Sequence, residues 1–211
     1  MRSILKATLA IVALAGSTLA QSNVITGDLW KVPDAVARNA IPGNVPATAP
    51  DVTFDVNSPL NFTTPGTVAT FLSSGGAFNL IENTSGTLAS VLSNGVSSTI
   101  ITFSGFVSVT AGEQFTVAHD DGLTLIIGGL DLGFNPGPTP PTTSTATYNG
   151  PSGNFPFQLV YGECCGGSAV LRVDLPFSNQ PLGVPEPATL ALIGIGIGGL
   201  SLARAKRRRT A

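Results

Sequence analysis

Short runs of alternating apolar and polar residues, broken every few positions by Gly, Pro, Asn or Ser, dominate the middle of this chain. In residues 99–109, Ile101, Phe103, Val107 and Val109 fall on one side and Thr102, Ser104 and Ser108 on the other. Ala111 and Gly112 make a turn, after which Phe115 and Val117 alternate with Thr116 and Ala118, and Leu123, Leu125 and Ile127 follow. Phe157, Leu159 and Tyr161 mark another strand, and Ala169, Leu171, Val173 and Leu175 one more. A period of two puts successive side chains on opposite faces of a sheet, so each run predicts a strand with one buried face. No long stretch carries the period of an amphipathic helix. The expected fold is all-β, an antiparallel β-sandwich with long Pro/Gly-rich loops. One such loop, residues 28–51, is expected to wrap the sandwich surface, and another, residues 135–154, to be irregular throughout. No longer unit repeats, which excludes a solenoid.

The two ends follow other rules. Arg2 and Lys6 precede an apolar run from Ala7 to Leu14, and Thr18-Leu19-Ala20 offers small residues for cleavage. Residues 1–20 therefore read as a secretory signal peptide. Residues 188–203 (ATLALIGIGIGGLSLA) carry no charge and run into RAKRRR. As a helix with its flanks this stretch covers about 25 Å, against a bilayer core of about 30 Å, and snorkelling arginines and local thinning close the gap. One C-terminal transmembrane helix is expected, with the arginine-rich tail in the cytoplasm and everything before Val184 outside. The chain thus divides into a signal peptide (1–20), an extracytoplasmic β-sandwich domain (21–183) and a C-terminal segment (184–211).

Charge sharpens this division. Of the ten basic residues only Lys31, Arg38 and Arg172 lie between Gln21 and Gly183, against eleven acids, which leaves that region a net charge of −8. A body this acidic disfavours nucleic acid and anionic lipid as partners.

Val184, Pro185, Glu186 and Pro187 stand immediately before the apolar run. The prolines keep Pro185 and Glu186 extended, a form a protease can grip, and Pro187 suits the first turn of a helix. VPEP, a short Gly-rich helix and a terminal arginine cluster, in that order, resemble the PEP-CTERM sorting signal. The resemblance implies an exported protein of a Gram-negative, exopolysaccharide-producing bacterium. It implies an inner-membrane-anchored precursor that an exosortase, a membrane cysteine transpeptidase-like enzyme, passes to the cell surface or extracellular matrix.

A second resemblance covers residues 99–175. TIITFSGFVSVTAGEQFTVAHDDGLTLIIGG, followed by FPFQLVYGECCGGSAVLRVDL, is similar to the protective-antigen-type β-sandwich of toxins, glycosidases and flocculin-type adhesins. Asp120-Asp121-Gly122 is the distinctive centre of the match. The chain departs from the family pattern in its few aromatics and in Gly129 where an acid often stands. In the calcium-dependent adhesins of that family the matching acids are joined by a cis peptide, and both carboxylates hold Ca²⁺ while sugar hydroxyls complete its shell. The resemblance therefore implies calcium at Asp120 and Asp121.

Calcium takes six to eight oxygens, and adjacent carboxylates in a strand point to opposite faces, so sharing an ion requires a sharp turn at the pair. Asn135, Asn149 and Asn154 are available as further loop donors, and none is singled out. The other reading of Asp-Asp-Gly is a plain turn between two strands. His119, the single histidine, is either a partner of the pair or an ordinary strand residue. Cys164 and Cys165 are the sole cysteines. Thiols of an exported protein tend to oxidise, and a vicinal disulfide, two free thiols and an intermolecular link all remain open. Two cysteines and one histidine cannot close a four-coordinate zinc site.

Nucleophile-elbow, zincin and P-loop motifs are absent, and no carboxylate pair is marked for glycoside hydrolysis. The expected function is a non-enzymatic, surface-anchored protein of an exopolysaccharide or biofilm matrix, with calcium-dependent carbohydrate binding and extracellular polysaccharide as partner. The alternative is a purely structural matrix component without a ligand.

Overall fold

A computed structural model describes residues 24–63, 66–83 and 87–178 of the chain. The expected signal peptide, the VPEP segment and the expected transmembrane helix lie outside these residues. Along the chain the strands are β1 (Val24–Lys31), β2 (Val52–Asn57), β3 (Leu60–Phe62), β4 (Phe78–Glu82), β5 (Thr99–Val109) and β6 (Gln114–Asp120). There follow β7 (Leu123–Ile127), β8 (Leu130–Asp131), β9 (Thr142–Thr147), β10 (Gly153–Glu163), β11 (Val170–Val173) and β12 (Phe177–Ser178). Among the described residues three short α-helices, α1 (Asp34–Ala37), α2 (Val68–Ser74) and α3 (Leu88–Ser93), and one 3-10 turn (Pro42–Asn44) fill the connections.

The strands form two antiparallel sheets. The eight-stranded sheet runs β4-β2-β1-β5-β10-β7-β8, with β12 also paired to β5. The four-stranded sheet runs β3-β11-β6-β9. Strand β5 anchors the larger sheet: it pairs β10 over its whole length, from Thr99↔Glu163 to Val109↔Gly153. Its other edge is shared between β1, through Thr99 to Ser104, and β12, through Phe106 and Val107.

The alternation predicted from sequence is the alternation observed. Ile101, Phe103, Val107, Phe115, Val117, Leu123, Leu125, Ile127, Leu159, Leu171 and Val173 all join one buried core drawn from both sheets. Its centre is aromatic: Phe54 and Phe103 meet edge to face at 5.8 Å, and Phe62 stacks on Phe71 at 5.0 Å. Phe71 in turn stacks on Tyr161 at 6.1 Å, which ties α2 to β10. Burial of such side chains contributes about 1.5–3 kcal/mol each and is the main force holding the layers together.

Two departures from the sequence reading concern the loops. Residues 135–154 are not irregular throughout, because β9 lies within them and pairs β6 from Gln114↔Thr147 to His119↔Thr142. The strand reads TTSTAT with half-buried and exposed positions in turn. Its β-branched threonines favour extended backbone, but its lack of a buried apolar face left no hydrophobic period to detect. Residues 28–51 begin within β1 and then carry α1, which covers a small outer cluster of Trp30, Ala40, Ile100 and Val160. Helices α2 and α3 start at Thr67 and Thr87, whose side chains accept from the N–H of Thr70 and Ser90 at 3.2 Å. Such caps satisfy amide groups that a short helix leaves unpaired.

Candidate functional site

Strand β6 belongs to the four-stranded sheet and β7 to the eight-stranded one. Asp120, Asp121 and Gly122 are therefore the point where the chain crosses from one layer to the other. The Asp120–Asp121 peptide is cis. Both aspartates are 7% exposed. The crossing packs closely against residues 135–137. A Cβ built on Gly122 would lie 2.2 Å from the Pro136 carbonyl oxygen, so only glycine fits there. The Leu123 amide donates to the Asn135 carbonyl at 2.9 Å and the Gly162 amide to the Gly122 carbonyl at 3.0 Å.

The second contact brings in the end of β10. Tyr161 and Glu163 both face inward, and Glu163 is 1% exposed. One carboxylate oxygen from each of Asp120, Asp121 and Glu163 lies within 4.8 Å of the other two. The Tyr161 hydroxyl reaches two acceptors, the Asp120 carbonyl oxygen and Glu163 Oε2, the latter at 2.8 Å. One hydroxyl proton serves one acceptor at a time, and a proton retained on Glu163 satisfies the other contact.

The electrostatics agree. Burial pushes the Glu163 carboxyl up to about 8, with the Asp121 and Asp120 charges adding to the rise and the Tyr161 hydrogen bond opposing it. Burial likewise pushes Asp120 up to about 6, helped by the neighbouring Asp121 charge. Burial first, then the Glu163 carboxylate, raise the Tyr161 phenol. Like charges converge in a dehydrated place, and among the described residues no cationic side chain offsets them.

Asp121 is held from three sides, twice at its main-chain carbonyl and once at its carboxylate. His119, fully buried, brings Nδ1 to 2.6 Å from the Asp121 carbonyl oxygen and Nε2 to 2.9 Å from the Ser144 hydroxyl. A carbonyl only accepts, so Nδ1 carries the proton. Thr139 Oγ1 donates to the same carbonyl at 3.3 Å. The Cys164 amide donates to Asp121 Oδ2 at 2.8 Å. The histidine thus braces the crossing, the partner role among the two considered for it.

Above the pair opens a cavity of about 390 Å³, with residues 138–141 on one side and 166–168 on the other. Asp120 and Asp121 line it. Three of its residues, Pro138, Pro140 and Pro141, are prolines, which hold that wall in a narrow range of backbone shapes. The opposite wall turns through Cys165, Gly166 and Gly167, all at positive φ. Sγ atoms of Cys164 and Cys165 lie 2.21 Å apart, with Cys164 buried and Cys165 exposed. A larger groove of about 720 Å³ crosses the outer face of the four-stranded sheet near Arg172, but Asp174 is the one acid that lines it.

Asn135, Asn149 and Asn154 do not line the cavity over the pair. Asn135 Oδ1 accepts from the Gly137 amide at 2.9 Å, and Asn154 Oδ1 from the Ser178 hydroxyl at 2.7 Å. The third acid near the pair is instead Glu163, which the sequence reading did not single out. A signal was there: Phe157, Leu159, Tyr161 and Glu163 occupy alternate positions, so the inward face of β10 ends on an acid.

The donor set fits a hard cation. Calcium binds carboxylate oxygens at about 2.3–2.6 Å, so two oxygens on one ion lie at most about 5 Å apart. The three converging carboxylates meet that limit.

Residues 183–209 match the PEP-CTERM protein-sorting motif. The chain carries this sorting signal. The VPEP segment read from the sequence, Val184 to Pro187, falls inside the match, and the signal marks an exported protein destined for the surface. Among the described residues no helix is long and apolar enough to cross a membrane, and the expected anchor lies outside them. In fold the chain is similar to a PA14 sugar-binding domain from an RTX adhesin, 19% identical at a TM-score of 0.55, covering 76% of this chain and 100% of that one. It is similar also to the PA14 domain of the antifreeze protein MpAFP, 19% identical at a TM-score of 0.51, covering 81% of this chain and 89% of that one. The sandwich is thus a PA14-like β fold, the protective-antigen type expected from Asp120-Asp121-Gly122 and its flanking strands. No curated protein matches the chain.

Proposed function

We propose that this protein is a non-enzymatic, surface-displayed carbohydrate-binding module in which Asp120 and Asp121 hold a calcium ion at the floor of the cavity. When bound, the ion supplies open coordination positions for the vicinal hydroxyls of a sugar. The chain's own residues do the rest. Asp120 and Asp121 supply anionic oxygens, while His119, Thr139 and Cys164 hold Asp121 in place. Residues 138–141 and 166–168 wall the cavity of about 390 Å³ in which a sugar unit would sit.

The convergence of the two buried carboxylates beneath an open cavity carries this reading. An acid pair that served only as a turn would be exposed and solvated. Its PA14-like fold, shared with a domain described as sugar-binding, supports the same reading. The partner that follows is extracellular polysaccharide of the producing cell's matrix. The sorting signal supports an inner-membrane precursor cut by an exosortase-type enzyme within Val184–Pro187, then released to the surface or matrix.

A glycan array probed in calcium and again in chelator tests the proposal. Binding of a defined set of glycans in calcium alone is the expected result. Glycan binding unchanged by chelator removes the metal from the account, and no binding in either solution leaves a structural matrix component.

A further inference from the structure

We propose that Glu163 is a third carboxylate ligand of the cation held by Asp120 and Asp121, so that β10 closes the site from behind. The proposal rests on the calcium reading above and adds to it a residue that lies outside the Asp-Asp-Gly motif.

Three observations carry it. Glu163 is 1% exposed, so water does not solvate its carboxylate, and one of its oxygens lies within 4.8 Å of oxygens of both aspartates. Asp120 is 7% exposed and lines the cavity. Its side chain meets another acid, Asp121. Finally, among the described residues no cationic side chain pairs with the three acids: Lys31 Nζ is bound to the Gly95 and Ser97 carbonyls, Arg38 is exposed, and Arg172 lines the groove outside the four-stranded sheet. A buried carboxyl group keeps its proton, pairs with a cation or coordinates a metal, and metal binding displaces the proton that Glu163 otherwise retains. Here the acids come from two strands of different sheets and meet at one point, which favours a metal over a chance surface cluster.

Tyr161 has a positioning part. Its hydroxyl holds Glu163 Oε2 and the Asp120 main chain together, so the third carboxylate is set against the pair before any ion arrives. It also places a phenol beside the site, which can sensitise terbium luminescence.

The test uses the full-length protein in detergent, with Ca²⁺ and Tb³⁺ alone as probes. Isothermal titration should show one tight calcium site, weakened about tenfold or more in Glu163→Gln, which keeps shape and removes charge. Terbium luminescence excited through tyrosine should rise on binding, fall on competition with Ca²⁺, and be lost in Tyr161→Phe. Because Glu163→Gln also alters a buried contact, carboxyl NMR of the wild-type protein labelled at glutamate gives an independent reading. Among Glu82, Glu113, Glu163 and Glu186, one signal should shift at stoichiometric calcium, and it should be the one missing from the variant. Wild-type calcium affinity in a folded Glu163→Gln, or a titration in which aspartate signals move and no glutamate signal does, overturns the role of Glu163 while leaving calcium at the pair. No calcium uptake by the wild-type protein overturns both.

Discussion

The amide of Cys164 donates to Oδ2 of Asp121 at 2.8 Å, across 43 positions of sequence. This bond joins the turn after β10 to the crossing between the sheets. It fixes one oxygen of Asp121, and it makes the 166–168 wall of the cavity part of the same unit as the acid pair.

Calcium should stabilise the folded protein through that pair. An ion that binds the folded state alone adds about 2.7 kcal/mol at a hundredfold excess over Kd. Asp121→Asn keeps the shape and the Cys164 contact but removes a charge, so it should melt at the same temperature in calcium and in chelator. If the wild-type Tm is also the same in both, the pair binds no calcium.

The pH dependence without metal has a defined sign. Asp120, raised to about 6, and Glu163, raised to about 8, hold protons more tightly in the folded chain than in the unfolded chain, where carboxyls titrate near about 4. Between about pH 4 and 8 the folded state therefore binds more protons, and the stability contributed by these groups falls as pH rises. It is fully present below about pH 4 and lost once pH passes the folded values. Urea denaturation in chelator should give a lower midpoint at pH 8 than at pH 5, and Glu163→Gln should flatten the upper part of that decline. A midpoint that rises over this range would contradict the assignment.

The state of the cysteines bears on the cavity wall. We expect Cys164 and Cys165 to form a vicinal bridge in the exported protein, given an oxidising destination and no other cysteine in the chain. Non-reducing mass spectrometry should find a monomer lighter by two hydrogens than the reduced form. Reduction should weaken calcium binding through the Cys164–Asp121 contact. Two alkylatable thiols or a covalent dimer would rule the bridge out.

Gly122→Ala should damage the crossing more than its small change in volume suggests. The new Cβ would meet backbone, the Pro136 carbonyl at 2.2 Å and the Gly137 carbonyl at 2.5 Å, and neither can swing aside as a side chain would. Urea denaturation should show a loss of about 1–3 kcal/mol. A variant as stable as the wild type would mean that residues 135–137 give way easily.

Processing at the sorting signal should remove the arginine cluster. Intact mass of cell-surface material should lack residues 204–209. Recovery of the complete tail from the outermost fraction would count against cleavage at the VPEP segment.

Local chemistry explains what was legible beforehand. Ile101, Phe103 and Val107, or Leu171 and Val173, declare a strand because each alternates with polar neighbours a residue away. The same test fails for Thr142–Thr147, a strand with no buried apolar side, and for α2 and α3, too short to show a helical period. Val184 to Pro187 and the charged tail were readable because a sorting signal is recognised as linear sequence. Asp120 and Asp121 were readable as a motif, but a neighbouring pair in sequence says nothing about which groups face it.

By itself, then, the sequence determined the all-β class, most of the inward-facing residues, the sorting signal and the Asp120-Asp121 motif of the candidate site, because each is encoded within a few consecutive residues. Only the tertiary structure decided that β6 and β7 lie in different sheets, so that Asp120 and Asp121 mark the passage between layers. It alone brought Glu163, Tyr161 and the Cys164 amide to them from about forty residues away. The physical reason is that strand pairing sets register between distant segments. The Tyr161↔Leu123 pairing carries the end of β10 to the crossing, and no short-range pattern of hydrophobic and polar residues records that partnership.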